Sequence, residues 1–265
     1  MTSDQNGFRM LEFFSGIGGM RYALENALKD HQGSNSSRSF SLAFCQAFDI
    51  SLHANNTYKH NFSNDKSSAR TKLVEQLKPK DLDGKADLWT MSPPCQPFTT
   101  TRGAKSLDID DKRCNGLKAI IELLTKVQEK PKFIFLENVK HFADSRMIQE
   151  FYKCLDSNGY SYKQYLVSPI QIGVPNHRQR YYILCDRSDR WKGRTEIHHE
   201  ISSSLEGTTF QQYFVGDYVD PSKSPDEEDL QKIVVPDSIL QKDWARQIGV
   251  VATRDTATHC FTGMY

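Results

Sequence analysis

No run of apolar residues in this chain of 265 is long enough to cross a bilayer, and Met1 to Gly7 hold no apolar signal-peptide core. The six cysteines, at 45, 95, 114, 154, 185 and 260, contain no C-x-x-C pair. Neither a zinc site nor a disulfide framework is announced, and scattered thiols fit a reduced cytosolic or nuclear setting. Charge of one sign is also missing: 34 basic residues face 33 acidic ones, for a formal charge of +1. Any nucleic-acid surface would therefore have to be local. No internal repeat or heptad is visible. What remains is a globular composition, 38% hydrophobic and 25% charged, of a length for one large α/β domain with or without an appendage. No metal and no membrane partner is expected.

The most informative stretch is Trp89-Thr90-Met91-Ser92-Pro93-Pro94-Cys95-Gln96-Pro97-Phe98. An apolar strand over Leu88–Met91 meets two prolines, which stop it and stiffen the loop beyond. A thiol on a rigid turn at a strand end is placed to act as a nucleophile. A free cysteine is equally at home as a small buried hydrophobe, and this loop alone leaves both readings open.

In chain order, Phe8–Phe14 reads as a buried strand that runs into Ser15-Gly16-Ile17-Gly18-Gly19. Met20, Ala23, Leu24, Ala27 and Leu28 follow at helical spacing. Strand, glycine turn and helix open a nucleotide-binding α/β unit, with helix amides offered to polar ligand groups. The pattern departs from G-x-G-x-x-G, so a nicotinamide reading is weak. Phe40–Phe48 reads as a second strand ending at Asp49, a position for gripping ribose hydroxyls or for capping the next helix, His53–Phe62. Asn64–Ser68 reads as a polar loop and Leu73–Leu77, with Glu75 inside it, as a short strand.

Thr99–Arg113, with Arg102, reads as a long loop beside the cysteine, and Asn115–Lys126 as a covering helix. Lys132–Val139 is a buried strand ending in Glu137 and Asn138. A carboxylate there either pairs with an arginine or serves a ligand beyond the strand end. Ile148–Leu155 is a helix stopped at Asn158-Gly159, and Tyr160–Val167 and Tyr181–Cys185 are strands. Arg178 and Arg180 share a face if the strand has begun, and can fork onto a carboxylate or phosphate or form a solvated basic edge. After Asp186 the chain turns polar, as in a smaller appendage.

Together, Phe13-Phe14-Ser15-Gly16-Ile17-Gly18-Gly19, Asp49, Ser92-Pro93-Pro94-Cys95-Gln96, Glu137-Asn138-Val139 and Arg178-Gln179-Arg180 resemble, in order and context, the motifs of the cytosine-5 methyltransferase family. Ser92-Pro93-Pro94-Cys95-Gln96-Pro97-Phe98 and the late Cys260-Phe261-Thr262 resemble its DNA methyltransferase-2 type, whose members mainly methylate a cytosine in the anticodon loop of aspartate transfer RNA. The resemblance implies a doubly wound, mostly parallel Rossmann-like sheet over residues 8–186, and a small partial target-recognition region over 187–265. It implies S-adenosylmethionine as cofactor, held by Phe13, Ser15, Gly16, Ile17, Gly18, Asp49, Ile50, Glu75, Ser92 and Pro93. Cys95, Glu137, Arg178 and Arg180 would carry the chemistry, with the arginine pair favouring the thiolate. Gln96, Asn138, Arg102, Cys260, Phe261 and Thr262 would meet the substrate, a transfer RNA or DNA.

The family's domain ordinarily ends with a Gly-Asn-Ser type motif and a final helix, which these 265 residues do not carry. The resemblance therefore implies a shortened form, with a less complete cofactor pocket and apolar faces that favour aggregation or a partner; the complete form is expected to be a monomer. Three functions follow as alternatives: a transfer-RNA methyltransferase, a DNA methyltransferase, or a catalytically silent nucleic-acid-binding module. A dehydrogenase leaves Cys95, Glu137 and the arginine pair unexplained.

Overall fold

The computed structural model describes residues 7–33, 41–63, 68–98, 108–188, 190–191, 194–200, 211–218, 238, 241 and 252–259. It forms two compact units. The first comprises Met1–Leu166 and Arg180–His198, the second Val167–Gln179 and His199–Tyr265. This division differs from the sequence boundary at Asp186 over 167–179 and 187–198.

The first unit is built on a sheet of eight strands: β1 Gly7–Phe13, β2 Ser41–Asp49, β3 Ser68–Thr71, β4 Leu88–Met91, β5 Phe133–Val139, β6 Ser161–Val167, β8 Arg180–Asp186 and β9 Arg194–His198. Their order is β3-β2-β1-β4-β5-β8-β6-β9. The pairs from β3 through β5 are parallel, and β8 runs antiparallel to β5. Chain order reverses direction at β1 and β4, and ligands of such sheets bind beyond the strand ends at this switch point.

Alternation along the strands decides which face each helix covers. Leu11, Phe13, Phe48, Trp89 and Met91 point to one side, where α4 (Asn115–Lys126) and α5 (Arg146–Ser157) close the larger core. Leu117, Ile120 and Leu124 on α4, and Ile148, Phe151 and Leu155 on α5, recur at three- and four-residue spacing. Ala47 and Ala69 belong to a smaller cluster with Tyr58 and Phe62, from α2 (Leu52–Asn61) and its C-cap. α1 (Gly19–Gly33) follows the glycine turn, and α3 (Pro79–Leu82) is a single turn before β4.

Two expectations change. The third strand is Ser68–Thr71, and Leu73–Leu77 is instead a tight turn around Val74–Gln76. The Lys72 amide donates to the Asp49 carbonyl at 3.1 Å, which carries the chain off the sheet before the apolar residues begin. β8 starts at Arg180, so the shared-face argument does not extend to Arg178.

In the second unit β7 (Asn176–His177) pairs in parallel with β10 (Thr258–His259). The Arg178 amide donates to Ser168 Oγ at 2.9 Å within it.

Candidate functional site: a cysteine loop, a carboxylate and a glycine turn

The site grows from the ends of β1, β4 and β5. Met91 pairs with Leu136, so the loop after β4 and the last residues of β5 leave the sheet side by side. Ser92 Oγ donates to the Phe14 carbonyl at 3.1 Å, and Asn138 Nδ2 donates to the Pro93 carbonyl at 3.1 Å. Asn138 is buried and its own carbonyl oxygen accepts the Val139 amide at 2.8 Å. One buried amide thus ties the proline loop to the strand carrying Glu137. Beyond Cys95, the Phe98 amide donates to the Cys95 carbonyl at 3.0 Å, and the Phe98 ring meets Phe142 edge-on at 4.8 Å. Apolar burial anchors the far side of the loop. Of the five cysteines among the described residues, four are buried and Cys95 is the partly accessible one. The buried-hydrophobe reading suits Cys45, Cys114, Cys154 and Cys185, and Cys95 departs from it.

Glu137 and Arg180 are diagonal neighbours on one face of the antiparallel pair, since Glu137 opposes Tyr182 and Val139 opposes Arg180. Arg180 Nε lies 3.1 Å from Glu137 Oε1, with side chains 17% and 26% exposed. A guanidinium held this far from solvent keeps the carboxyl oriented, and the residual exposure leaves room for a ligand. Pairing and ligand service are therefore compatible in Glu137.

Downstream of the cysteine, Asp108 accepts the Arg146 and Met147 amides at 2.6 and 3.2 Å, clamping that segment to the start of α5. Asp111 holds Arg113 at 2.6 Å, and this hydrogen bonding lowers the Asp111 carboxyl to about 2. The short turns carrying Gln96–Phe98 and Lys112–Cys114 pack together.

The glycine turn fits the cofactor the sequence implies. Gly16 and Gly18 adopt φ of 53° and 94°. The Gly16 amide donates to Asp49 Oδ2 at 2.9 Å and the Ser51 amide to Asp49 Oδ1 at 2.8 Å. Asp49 therefore joins the turn to the end of β2, and the cap of α2 is Ser51, which accepts the Ala54 amide. Ser15 Oγ is buried with no hydrogen-bond partner among the described residues, an orphan that a polar ligand group would satisfy. Ile17 and Ile50 are strongly exposed beside this turn, as apolar walls awaiting a flat ligand would be.

Other assignments change or fall outside what is described. Phe13 is fully buried between Phe48 and Trp89, at 5.6 and 5.3 Å, so its ring does not reach a ligand. The accessible ring at this strand end is Phe14, at φ 55° and half-buried, and sequence reading passed over it. Its ring stands 2.8 Å from where a Cβ on Gly116 would lie, and Glu75 Oε2 stands 3.9 Å from the same point. Glu75 is exposed on its turn and close to Phe14. The Pro93 ring is buried, leaving Ser92 the more accessible of the pair. Arg178 is in the second unit. Gln96 is exposed beside Cys95, whereas Arg102, Cys260, Phe261 and Thr262 lie outside the described residues. The helix amides are also not all free: those of Met20 and Arg21 donate to the chain's own Glu12. No group of three or more His, Cys, Asp and Glu that could hold a metal occurs among the described residues.

Comparison with known proteins matches this arrangement. Residues 8–253 match the model of the C-5 cytosine-specific DNA methylase family. A tRNA (cytosine(38)-C(5))-methyltransferase of Schizosaccharomyces pombe is 33% identical over 97% of this chain and 71% of its own length. A DNA (cytosine-5)-methyltransferase of Dictyostelium discoideum is 36% identical over 72% of this chain. That match takes in 48% of the Dictyostelium protein, so this chain spans about half the length of such relatives. The crystal structure of a Spodoptera frugiperda DNMT2 mutant superposes with a TM-score of 0.73 at 29% identity, over 98% of this chain and 71% of that one. On the ordered motifs, the sheet and these matches together, the chain belongs to the C-5 cytosine-specific DNA methylase family.

Proposed function

We propose that this chain transfers a methyl group from S-adenosylmethionine to carbon-5 of a cytosine in the anticodon loop of a transfer RNA, aspartate transfer RNA first. The observation that carries the reading is the Glu137–Arg180 pair at 3.1 Å, on a strand bonded through Asn138 to the Cys95 loop.

Cytosine carbon-5 is too weak a nucleophile to take a methyl group unaided. The Cys95 thiolate adds to carbon-6, forming a carbon–sulfur bond and moving a ring electron pair toward carbon-5. Glu137, protonated or sharing a proton with the base, donates to ring nitrogen 3 and accepts from the exocyclic amine, steadying the charge that addition drives into the ring. Arg180 fixes the carboxyl while this happens. S-adenosylmethionine supplies an electrophilic methyl group when bound. Ser15, Gly16, Gly18 and Asp49 would hold its amino-acid and ribose ends, and the exposed Ile17 and Ile50 and the half-buried Phe14 would offer it apolar contacts. Once carbon-5 has taken the methyl group, with S-adenosylhomocysteine as the leaving group, it loses its proton to a base, the freed electron pair restores the ring double bond, the carbon–sulfur bond breaks, and Cys95 leaves as the thiolate. A stacked base cannot reach Cys95, and an anticodon loop presents bases at low unstacking cost. Gln96 borders that base, Asn138 holds the Cys95 loop from behind rather than meeting the substrate as expected, and Arg102 and Cys260-Phe261-Thr262 are assigned to the RNA.

The test is transfer of labelled methyl to transfer RNA and to duplex DNA by the wild-type chain and by Cys95→Ala. Label on transfer RNA that disappears in the variant supports the proposal. Label on DNA alone moves the substrate to DNA, and no label on either leaves a silent binding module.

A further inference from the structure

We propose that Glu12 is the positioning residue of the cofactor turn: ionised, its carboxylate fixes the backbone of Ser15–Gly19 from below, and protonated it turns to Thr90 and lets that backbone loosen. The inference rests on the cofactor reading above and adds a residue that does not touch the cofactor.

Glu12 stands on the central strand, 1% exposed, on the face opposite Leu11 and Phe13. Its carboxylate accepts the Tyr58 hydroxyl at 2.9 Å and the amides of Met20 and Arg21, the first turn of α1. A negative charge at a helix N-terminus meets the positive end of the helix dipole. The Tyr58 ring carries the link onward to the turn. A Cβ placed on Gly18 would come within 2.9 Å of that ring and 2.4 Å of Phe62, so the turn rests directly on both. Asn61 Nδ2 adds a bond to the Ile17 carbonyl at 3.0 Å. The same turn leaves Ser15 Oγ without a partner, and Gly16 bonded to Asp49.

The proton has a second home. Thr90 opposes Glu12 in register on β4, and its buried hydroxyl has no hydrogen-bond partner among the described residues. A protonated Glu12 becomes a donor and gains an acceptor in Thr90, while it loses part of its capacity to accept the helix amides.

The surrounding groups leave the titration to Glu12. From α1, Arg21 pairs with Glu25 at 2.7 Å and stacks on Phe62 at 3.9 Å, and its pKa is raised further from neutrality. From α2, Tyr58 is held neutral by burial and then by Glu12 itself. From β2, Cys45 lies 3.3 Å from the Tyr58 hydroxyl. Burial raises Glu12 to about 7 against the pull of Tyr58 and the helix amides.

Calorimetric binding of S-adenosylhomocysteine from pH 6 to 8 tests this. Wild-type affinity is expected to rise about tenfold over that range, following the ionised fraction. Glu12→Gln should be flat, and Thr90→Val should move the midpoint to lower pH by removing the acceptor of the protonated form. The second readout needs no ligand: exchange protection of the Gly16–Arg21 amides, corrected for intrinsic rate, should rise over the same range in wild type and not in Glu12→Gln. A pH response that survives in Glu12→Gln, or a midpoint unmoved in Thr90→Val, overturns the proposal. Should the analogue bind at no pH, the cofactor reading fails, and the exchange data alone decide the role of Glu12.

Discussion

The two faces of one sheet do different things. On one face Leu11, Phe13, Phe48, Trp89 and Met91 join α4 and α5 in an apolar core. On the other, Glu12, Thr90, Cys45 and Tyr58 bury polar atoms beneath the glycine turn. The apolar face holds the strand ends in register and gains free energy for each side chain it removes from water. The polar atoms of the other face are costly to bury, and hydrogen bonds together with the small cluster of Ala47, Tyr58, Phe62 and Ala69 offset that cost. The cheaper packing therefore fixes the scaffold, and the costlier packing sits under the segment that must fit a ligand.

Adjacent phenylalanines give the sharpest way to break this contrast. Phe13→Ala removes a ring wedged between Phe48 and Trp89 and should destabilise the fold by about 3–5 kcal/mol in urea denaturation. Phe14→Ala should cost under about half of that, since the ring is half-buried, and weaken S-adenosylhomocysteine binding instead. Equal losses of stability from both would erase the distinction between wall and ligand contact.

A middle-sized effect concerns pH. Glu12 is raised above its unfolded value of 4.5 to about 7, so the folded chain binds the extra proton between those values. Its contribution to stability is complete below about pH 4.5, declines as pH rises to about 7, and stays lost above, a change of about 3 kcal/mol in order of magnitude. The difference between wild type and Glu12→Gln in unfolding free energy, followed from pH 5 to 8, should trace that decline. A difference independent of pH would mean the carboxyl does not change its proton there. Stability thus falls over the range in which the turn is expected to tighten.

Gly18→Ala forces a Cβ against Phe62 at a φ of 94° and should destabilise by about 1–3 kcal/mol while weakening the cofactor analogue. Asn138→Ala removes the tie between the Cys95 loop and β5 and should cost about 1–3 kcal/mol, with kcat falling more than KM changes. A normal kcat in Asn138→Ala would show that the loop holds itself.

Much of the site was legible because its signals are local. The glycine turn, the double proline before Cys95 and the apolar run ending in Glu137 are each read from a few consecutive residues, and each lies at a strand end. What escaped depends on contacts far apart in sequence or on a single dihedral. Phe13 and Phe14 are the same residue type, and the positive φ at Phe14 decides which ring turns outward. The edge strand Ser68–Thr71 has no apolar alternation, so the apolar Leu73-Val74 drew the strand assignment. Glu12 meets Tyr58 across 46 residues, and nothing in Leu11-Glu12-Phe13 marks the glutamate as buried. Arg178 looked equivalent to Arg180 from spacing alone, and the late start of β8 separates them.

The central claim is that Cys95 adds to the pyrimidine while Glu137 and Arg180 steady it. Transfer RNA carrying 5-fluorocytosine at the target position tests it most directly, because fluorine at carbon-5 cannot leave as a proton does. The account predicts a denaturation-resistant protein–RNA adduct in the presence of S-adenosylmethionine, mapped by mass spectrometry to Cys95 and absent in Cys95→Ala. Methyl transfer to unmodified RNA with no adduct on the fluorinated one, or an adduct on another residue, would contradict it.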